Sequence, residues 1–380
     1  MNNFTPTIHR CLPHDAPGKI RRLDLITAAG GALLFTLLIF FFTPVNETAA
    51  VQQYFQFAQN PFSFTSYPYG ARMATPVLAG LLPFDVQTGF RILSFISFFL
   101  CGVFLDLLLR MAGVSLRWRL ALLPAFYFAS TARFIVANPC YVDPMSYWLM
   151  TAAFLGILSG NYGLTMFFLA LGALNRPESL TLVLILIPTW WSKERPLRSL
   201  LAAALCALPA ILLASAMRFI WPWVSDYQIW KEITRVAMNI NPQPYAEIFA
   251  QQGFSALIDP SVYREALPCL WGLAALGFLQ TTWRIRWAAL AHIILAISPM
   301  MIATDYFRLP FYAFPAVIFL SGLGLQTLHR IHVYYAAAAA AAVLLLTLLF
   351  PQSITAGIIL AIAVCALYRL NRTETNSRPA

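Results

Sequence analysis

Residues 164–191 read LTMFFLALGALNRPESLTLVLILIPTWW, and the fold turns on this stretch. Two apolar runs flank a polar centre, Asn175-Arg176-Pro177-Glu178-Ser179. Proline removes a helical hydrogen bond and clashes with the preceding turn, so one straight helix cannot pass through it. Read as a single membrane crossing, the stretch carries Arg176 and Glu178 at mid-depth. Read as a hairpin of two short helices, it returns to the side it left. The positive-inside rule separates the two. With a hairpin, 16 Lys and Arg fall in inner segments and 8 in outer ones; a single crossing inverts everything downstream and gives 12 and 12. The hairpin is therefore the expected form.

Composition supports a membrane setting. Of 380 residues, 60% are hydrophobic and 11% charged, against roughly 25% charged in soluble domains. So few charges cannot clothe a soluble fold of this size. This excludes an ordinary cytosolic enzyme, a disordered scaffold and a nucleic-acid-binding domain, despite a net charge of +10. The positive charge lies in short segments between apolar runs. The six cysteines show no metal-ligand spacing and read as packing residues. The first apolar run, from Leu25, lacks a cleavage site and is expected to stay as a membrane helix.

The expected architecture is an all-α, polytopic transmembrane bundle of about ten to eleven membrane helices. Beyond the hairpin, the helices are expected at 25–43, 88–109, 120–137, 145–160, 199–217, 266–282, 287–303, 310–328, 333–350 and 353–369. Residues 1–23 form a cytoplasmic N-terminal segment, 24–370 a single transmembrane domain, and 371–380 a cytoplasmic tail. Two long loops, 44–87 and 218–265, face outward. The aromatic stretch 52–69 in the first suits interfacial helices or an aromatic belt. No internal repeat and no nucleotide-binding loop is visible.

Charges at membrane depth or in short outer loops are costly unless satisfied, so they mark candidate sites. Glu47 lies just past the first helix and is either a solvated loop residue or a base. Asp143, in NPCYVDP, precedes Pro144 and suits capping of the next helix as well as catalysis. Asp305 and Arg308, three residues apart, either pair locally or face a cavity. Arg176 and Glu178 either neutralise each other or bind substrate. Arg72, with Asp85 and Arg91, flanks a helix entrance. Asp106, four residues before Arg110, suits a local ion pair. His292 reads as a packed core histidine.

Four features together resemble polytopic, mannosyltransferase-like bacterial glycosyltransferases of the C-fold superfamily. They are the long first outer loop with Glu47, Asp143 in YVDP, the broken helix LALGALNRPESL, and TDYFRLPFYAFP. The resemblance implies a hexosyltransferase that moves a sugar from a polyprenyl-phosphate donor to a lipid or glycan acceptor, on the outer face of the inner membrane. It implies Glu47 and Asp143 as the acidic pair. Arg308 is implied to bind phosphate, and Arg72, Arg176, Glu178 and Asp305 complete the substrate-binding set. Some such enzymes use a divalent cation, Mg or Mn, which Glu47 and Asp143 would hold here. Glu47 stands alone where many members carry two acidic residues. The competing readings are a secondary transporter or flippase, suggested by the broken helix at 175–179, and a non-catalytic subunit of envelope biogenesis.

Overall fold

The computed structural model describes residues 22–46, 49–61, 72–190, 196–220, 255–258, 267–298 and 306–349, with isolated positions from 359 to 364. The described residues are helical throughout, with no strand. The helices are α1 (Arg22–Phe42), α2 (Ala49–Gln59), α3 (Ala74–Leu81), α4 (Val86–Met111), α5 (Leu116–Tyr127), α6 (Ser130–Ala137), α7 (Asp143–Ser159), α8 (Tyr162–Asn175), α9 (Val183–Trp190) and α10 (Pro196–Ile220). They continue as α11 (Trp271–Gln280), α12 (Trp283–Ile297), α13 (Phe314–Ile331) and α14 (Val333–Leu349). A short helical turn, Ser255–Ile258, precedes α11, and three described 3-10 segments, Pro177–Leu182, Pro268–Leu270 and Tyr306–Ala313, interrupt the series.

Four described helices are long and apolar enough to cross a membrane: Leu25–Phe42, Val86–Met111, Pro196–Leu213 and Arg308–Ile331. A fifth span forms if the bent pair α5 and α6 is taken as one. The outermost helices present apolar side chains outward. On α1, Ile26, Leu34 and Phe41 are exposed, and on α10 Leu201, Leu205 and Leu212. Such faces suit acyl chains rather than water. By contrast, 83% of the best apolar window of the Arg308–Ile331 span is buried, so α13 is the central post.

The stretch expected as one helix over 120–137 is broken. α5 and α6 meet at 56°. Pro124 sits inside α5 and denies the ladder one donor. The chain then leaves helical geometry at Phe128 and Ala129. Arg133 donates from Nε to the Phe128 carbonyl at 3.0 Å, satisfying an acceptor freed by the break.

The hairpin's two ends meet. The Tyr162 and Trp190 rings stand edge to face at 4.5 Å, and Trp190 Nε1 donates to the Ile157 carbonyl at 2.9 Å. Residues 162–190 therefore leave one end of the bundle, turn at Arg176 and come back. α8, at 14 residues, is about 21 Å long at 1.5 Å per residue.

α4 and α7 run in the same direction, with Phe98 beside Tyr147 and Cys101 beside Thr151. α11 and α13 approach most closely. A Cβ at Gly277 would run into the Leu320 carbonyl oxygen, and one at Gly324 into that of Leu273. Only glycine permits this backbone contact, the same device that membrane helix pairs use.

At the end of the bundle where α4 finishes, Asp106 pairs with Arg119 of α5 at 3.0 Å. Both residues are buried, and the pair ties α4 to α5. His292 is buried as expected and its Nε2 lies 3.0 Å from the Tyr312 carbonyl oxygen. Asp85 caps α4, accepting from the Thr88 amide at 2.9 Å. Residues 1–21, most of 218–265 and the tail 371–380 lie outside the described residues.

Candidate functional site

Asp143 opens α7, with Pro144 fitting the first helical turn. The expected capping role is absent: Val142 stands at the cap, without a side-chain cap bond. The carboxylate instead faces two arginines from distant segments and is 1% exposed. Oδ1 accepts from Arg176 Nη1 at 2.8 Å and from the Tyr312 hydroxyl at 2.5 Å. Oδ2 accepts from Arg308 Nη1 at 2.8 Å. Arg176 Nη1 also donates to the Tyr312 hydroxyl. Each guanidinium lies over an aromatic ring as well: Arg176 is 4.8 Å from the Tyr312 centroid and Arg308 4.3 Å from that of Tyr141. Cation–π contact suits the flat, weakly hydrated guanidinium.

The backbone brings these groups together for identifiable reasons. Arg176 is held at the hairpin tip by Asn175, which is fully buried. The Asn175 amide donates to the Val142 carbonyl at 2.9 Å and to Ser146 Oγ at 2.8 Å. Its Oδ1 accepts from the backbone amide and hydroxyl of Thr75 at 3.2 and 2.6 Å. One asparagine thereby stitches α3, α7 and α8 and uses both sides of its amide. Thr75 places α3 and the neighbouring Arg72 on the cluster. Arg72 Nη1 donates to the Tyr54 hydroxyl of α2 at 2.8 Å. The Tyr54 ring stands 6.4 Å from that of Tyr141.

Arg176 and Arg308 thus share Asp143, a partner that spacing in the sequence suggests for neither. Glu178 contributes its backbone to the 3-10 turn; its side chain lies outside the described residues, as do Glu47 and Asp305 altogether. The chain is fixed one residue before Glu47: the Asn46 amide donates to the Ala137 carbonyl at 2.6 Å, at the end of α6.

Asp143 precedes the apolar stretch 145–160. Burial by itself would raise its pKa, but Arg308 and Arg176, with help from Tyr312 and Arg72, outweigh burial and hold it at about 2. A carboxylate so strongly ionised and engaged on both oxygens is a poor proton acceptor at neutral pH. The arrangement suits Asp143 to anchoring the arginines. The same arrangement does not fit a divalent cation, because guanidinium groups already occupy both oxygens. Among the described residues no group of three His, Cys, Asp or Glu side chains converges.

Tyr54, Tyr141, Asn175 and Tyr312 went unnoticed as site residues in the sequence. All four lie in stretches that stand out: Tyr54 in the aromatic run 52–69, Tyr141 in YVDP, Asn175 in LNRPES and Tyr312 in TDYFRLPFYAFP. Beneath the cluster, the rings of Phe98, Phe126, Tyr147, Phe311 and Phe314 are all essentially buried. Phe126 and Phe314 approach to 4.8 Å, and Tyr147 and Phe311 to 5.3 Å. These rings close the cluster from the bundle interior.

No protein-family model matches the chain, and no curated protein is significantly similar to it.

Proposed function

We propose that this chain is an integral membrane glycosyltransferase of the hexosyl-transferring type. It moves a sugar from a polyprenyl-phosphate donor to a lipid or glycan acceptor at the outer face of a bacterial inner membrane. The observation that carries this reading is the convergence of Arg176 and Arg308 on the single buried carboxylate of Asp143, at one end of an apolar bundle. In this reading the chain crosses about ten to eleven times, counting the short helices and the hairpin arms. Both termini are cytoplasmic, loops 44–87 and 218–265 are outside, and α2 and α3 lie along the interface.

The chemistry follows from the cluster. As the bond between the sugar and the phosphate oxygen breaks, negative charge grows on the phosphate. Guanidinium groups fixed beforehand by Asp143 and by aromatic faces stabilise that charge without rearranging. The acceptor hydroxyl loses its proton to a carboxylate, and Glu47 is the residue for that role, since Asp143 is held ionised and occupied. Glu178 and Asp305 stand beside Arg176 and Arg308 in sequence and complete the substrate-binding set. A divalent cation, Mg or Mn, enters this reading only through Glu47 and the donor's own oxygens.

The aromatic floor favours this reading over a transporter or flippase. A substrate held at the arginines meets closely packed rings below, which suits chemistry at one face better than passage. The deciding experiment is transfer by the purified protein in detergent, with polyprenyl-phosphate sugars compared as donors. Donor-dependent product supports the reading. No product with any polyprenyl donor, alongside uptake of a lipid-linked or small polar substrate into proteoliposomes, replaces it with the transporter.

A further inference from the structure

Among the described residues, the hydroxyl of Tyr147 is a buried polar group beside the cluster that makes no hydrogen bond. Tyr147 follows Asp143 by one turn of α7 and is 1% exposed. Its ring packs against Tyr312 at 5.1 Å and Phe314 at 5.5 Å. Other buried tyrosine hydroxyls here do form hydrogen bonds. Tyr127 donates to the Phe98 carbonyl at 3.0 Å, Tyr312 donates to Asp143, and Tyr54 accepts from Arg72. Tyr312 donates to Asp143, so its ring contact with Tyr147 sets Tyr147 beside the cluster. A phenylalanine would fill the same space without burying an unpaired hydroxyl.

We propose that the Tyr147 hydroxyl is a ligand-contacting group of this site, donating a hydrogen bond to an oxygen of the phosphate ester that the arginines hold. A phosphate oxygen accepts only, and a neutral phenol adds a donor to the arginines without adding repulsion among cations. The inference rests on the phosphate-binding reading above and adds a residue to it.

The test uses the full chain in detergent, with farnesyl phosphate, inorganic phosphate and farnesol as titrants, comparing wild type with Tyr147→Phe. The variant is expected to bind farnesyl phosphate and inorganic phosphate about tenfold or more weakly, bind farnesol as wild type does, and melt at the same or a higher temperature. Unchanged affinity for farnesyl phosphate overturns the role of Tyr147 and leaves the arginine site standing. Weakened farnesyl phosphate binding with unchanged inorganic phosphate binding overturns the phosphate contact. A lower melting temperature with farnesol and farnesyl phosphate weakened alike shows a structural hydroxyl and also overturns it. A wild type that binds neither phosphate overturns the phosphate-binding reading itself, and the Tyr147 role with it.

Discussion

Arg308 reaches Asp143 across 165 residues of chain, placing Nη1 2.8 Å from Oδ2. Arg176 takes the other oxygen of the same carboxylate. Asp143 is thus the shared counter-ion of two arginines that arrive on separate 3-10-flanked segments. Removing it takes from both arginines the carboxylate they share, whereas removing either arginine leaves an ion pair behind. Asp143→Asn is expected to destabilise the protein by about 3–5 kcal/mol, the cost of breaking a buried pair from one side. Arg308→Ala is expected to cost less. Thermal unfolding in detergent ranks the two, and equal stability of Asp143→Asn and wild type would contradict the anchor role.

Acid should expose the same residue. Its folded pKa, about 2, lies below the usual value near 3.9. A carboxylate depressed in this way contributes stability that is fully present above pH 4 and lost as pH falls through 2. The difference in unfolding free energy between wild type and Asp143→Asn should shrink across that window. A difference that stays flat from pH 6 to pH 2 would show that the arginines do not hold the carboxylate down.

Arg308→Lys keeps the charge but loses the flat fork and the face that lies over Tyr141. Donor use should fall about ten- to a hundredfold, the value of a charge-assisted contact of roughly 1.5–3 kcal/mol, while Asp143 keeps a cation beside it. Steady-state kinetics against donor concentration measures this. Unchanged donor kinetics would leave Arg308 as a structural partner of Asp143 only.

Glu47→Gln is nearly isosteric and removes a titratable base. Transfer should be abolished with the protein still inserted and folded, and donor binding should persist. Wild-type turnover in this variant would move the base elsewhere.

The hairpin predicts sidedness. In a cysteine-free background, cysteines introduced at Asn161 and Lys193 should react from the same side of the membrane, and one at Asn60 from the opposite side. Reaction of Asn161→Cys and Lys193→Cys from opposite sides would make 162–190 a single crossing.

Much of the cluster was legible because charge is rare in this chain. Asp143, Arg176, Arg308 and Arg72 stand out against 60% hydrophobic residues. What could not be read was the pairing. Spacing brings out only near neighbours of the two arginines, such as Glu178 and Asp305, and gives no sign of a distant partner. The carboxylate that meets both arginines is 33 and 165 residues distant. The tyrosines were hidden for the opposite reason: among 15 in an aromatic-rich chain, none is conspicuous until packing brings it to a guanidinium. The apolar runs marked most helices, and the hairpin followed from charge counting. The kink between α5 and α6 was missed although Pro124 is plain in the sequence, because the chain bends a full turn later, at Phe128.

The Tyr162–Trp190 contact also bears on how the protein is made. Chain segments enter a membrane in the order of synthesis, and α7 is followed directly by the hairpin. Asp143 can therefore meet Arg176 while Arg308 is still unmade, giving a neutral pair of one acid and one base. Such a pair spares the lipid an isolated charge during insertion. The segment bearing Arg308 and Tyr312 then docks onto a preassembled partner. The carboxylate is thus paired before the last of its guanidinium partners has been synthesised.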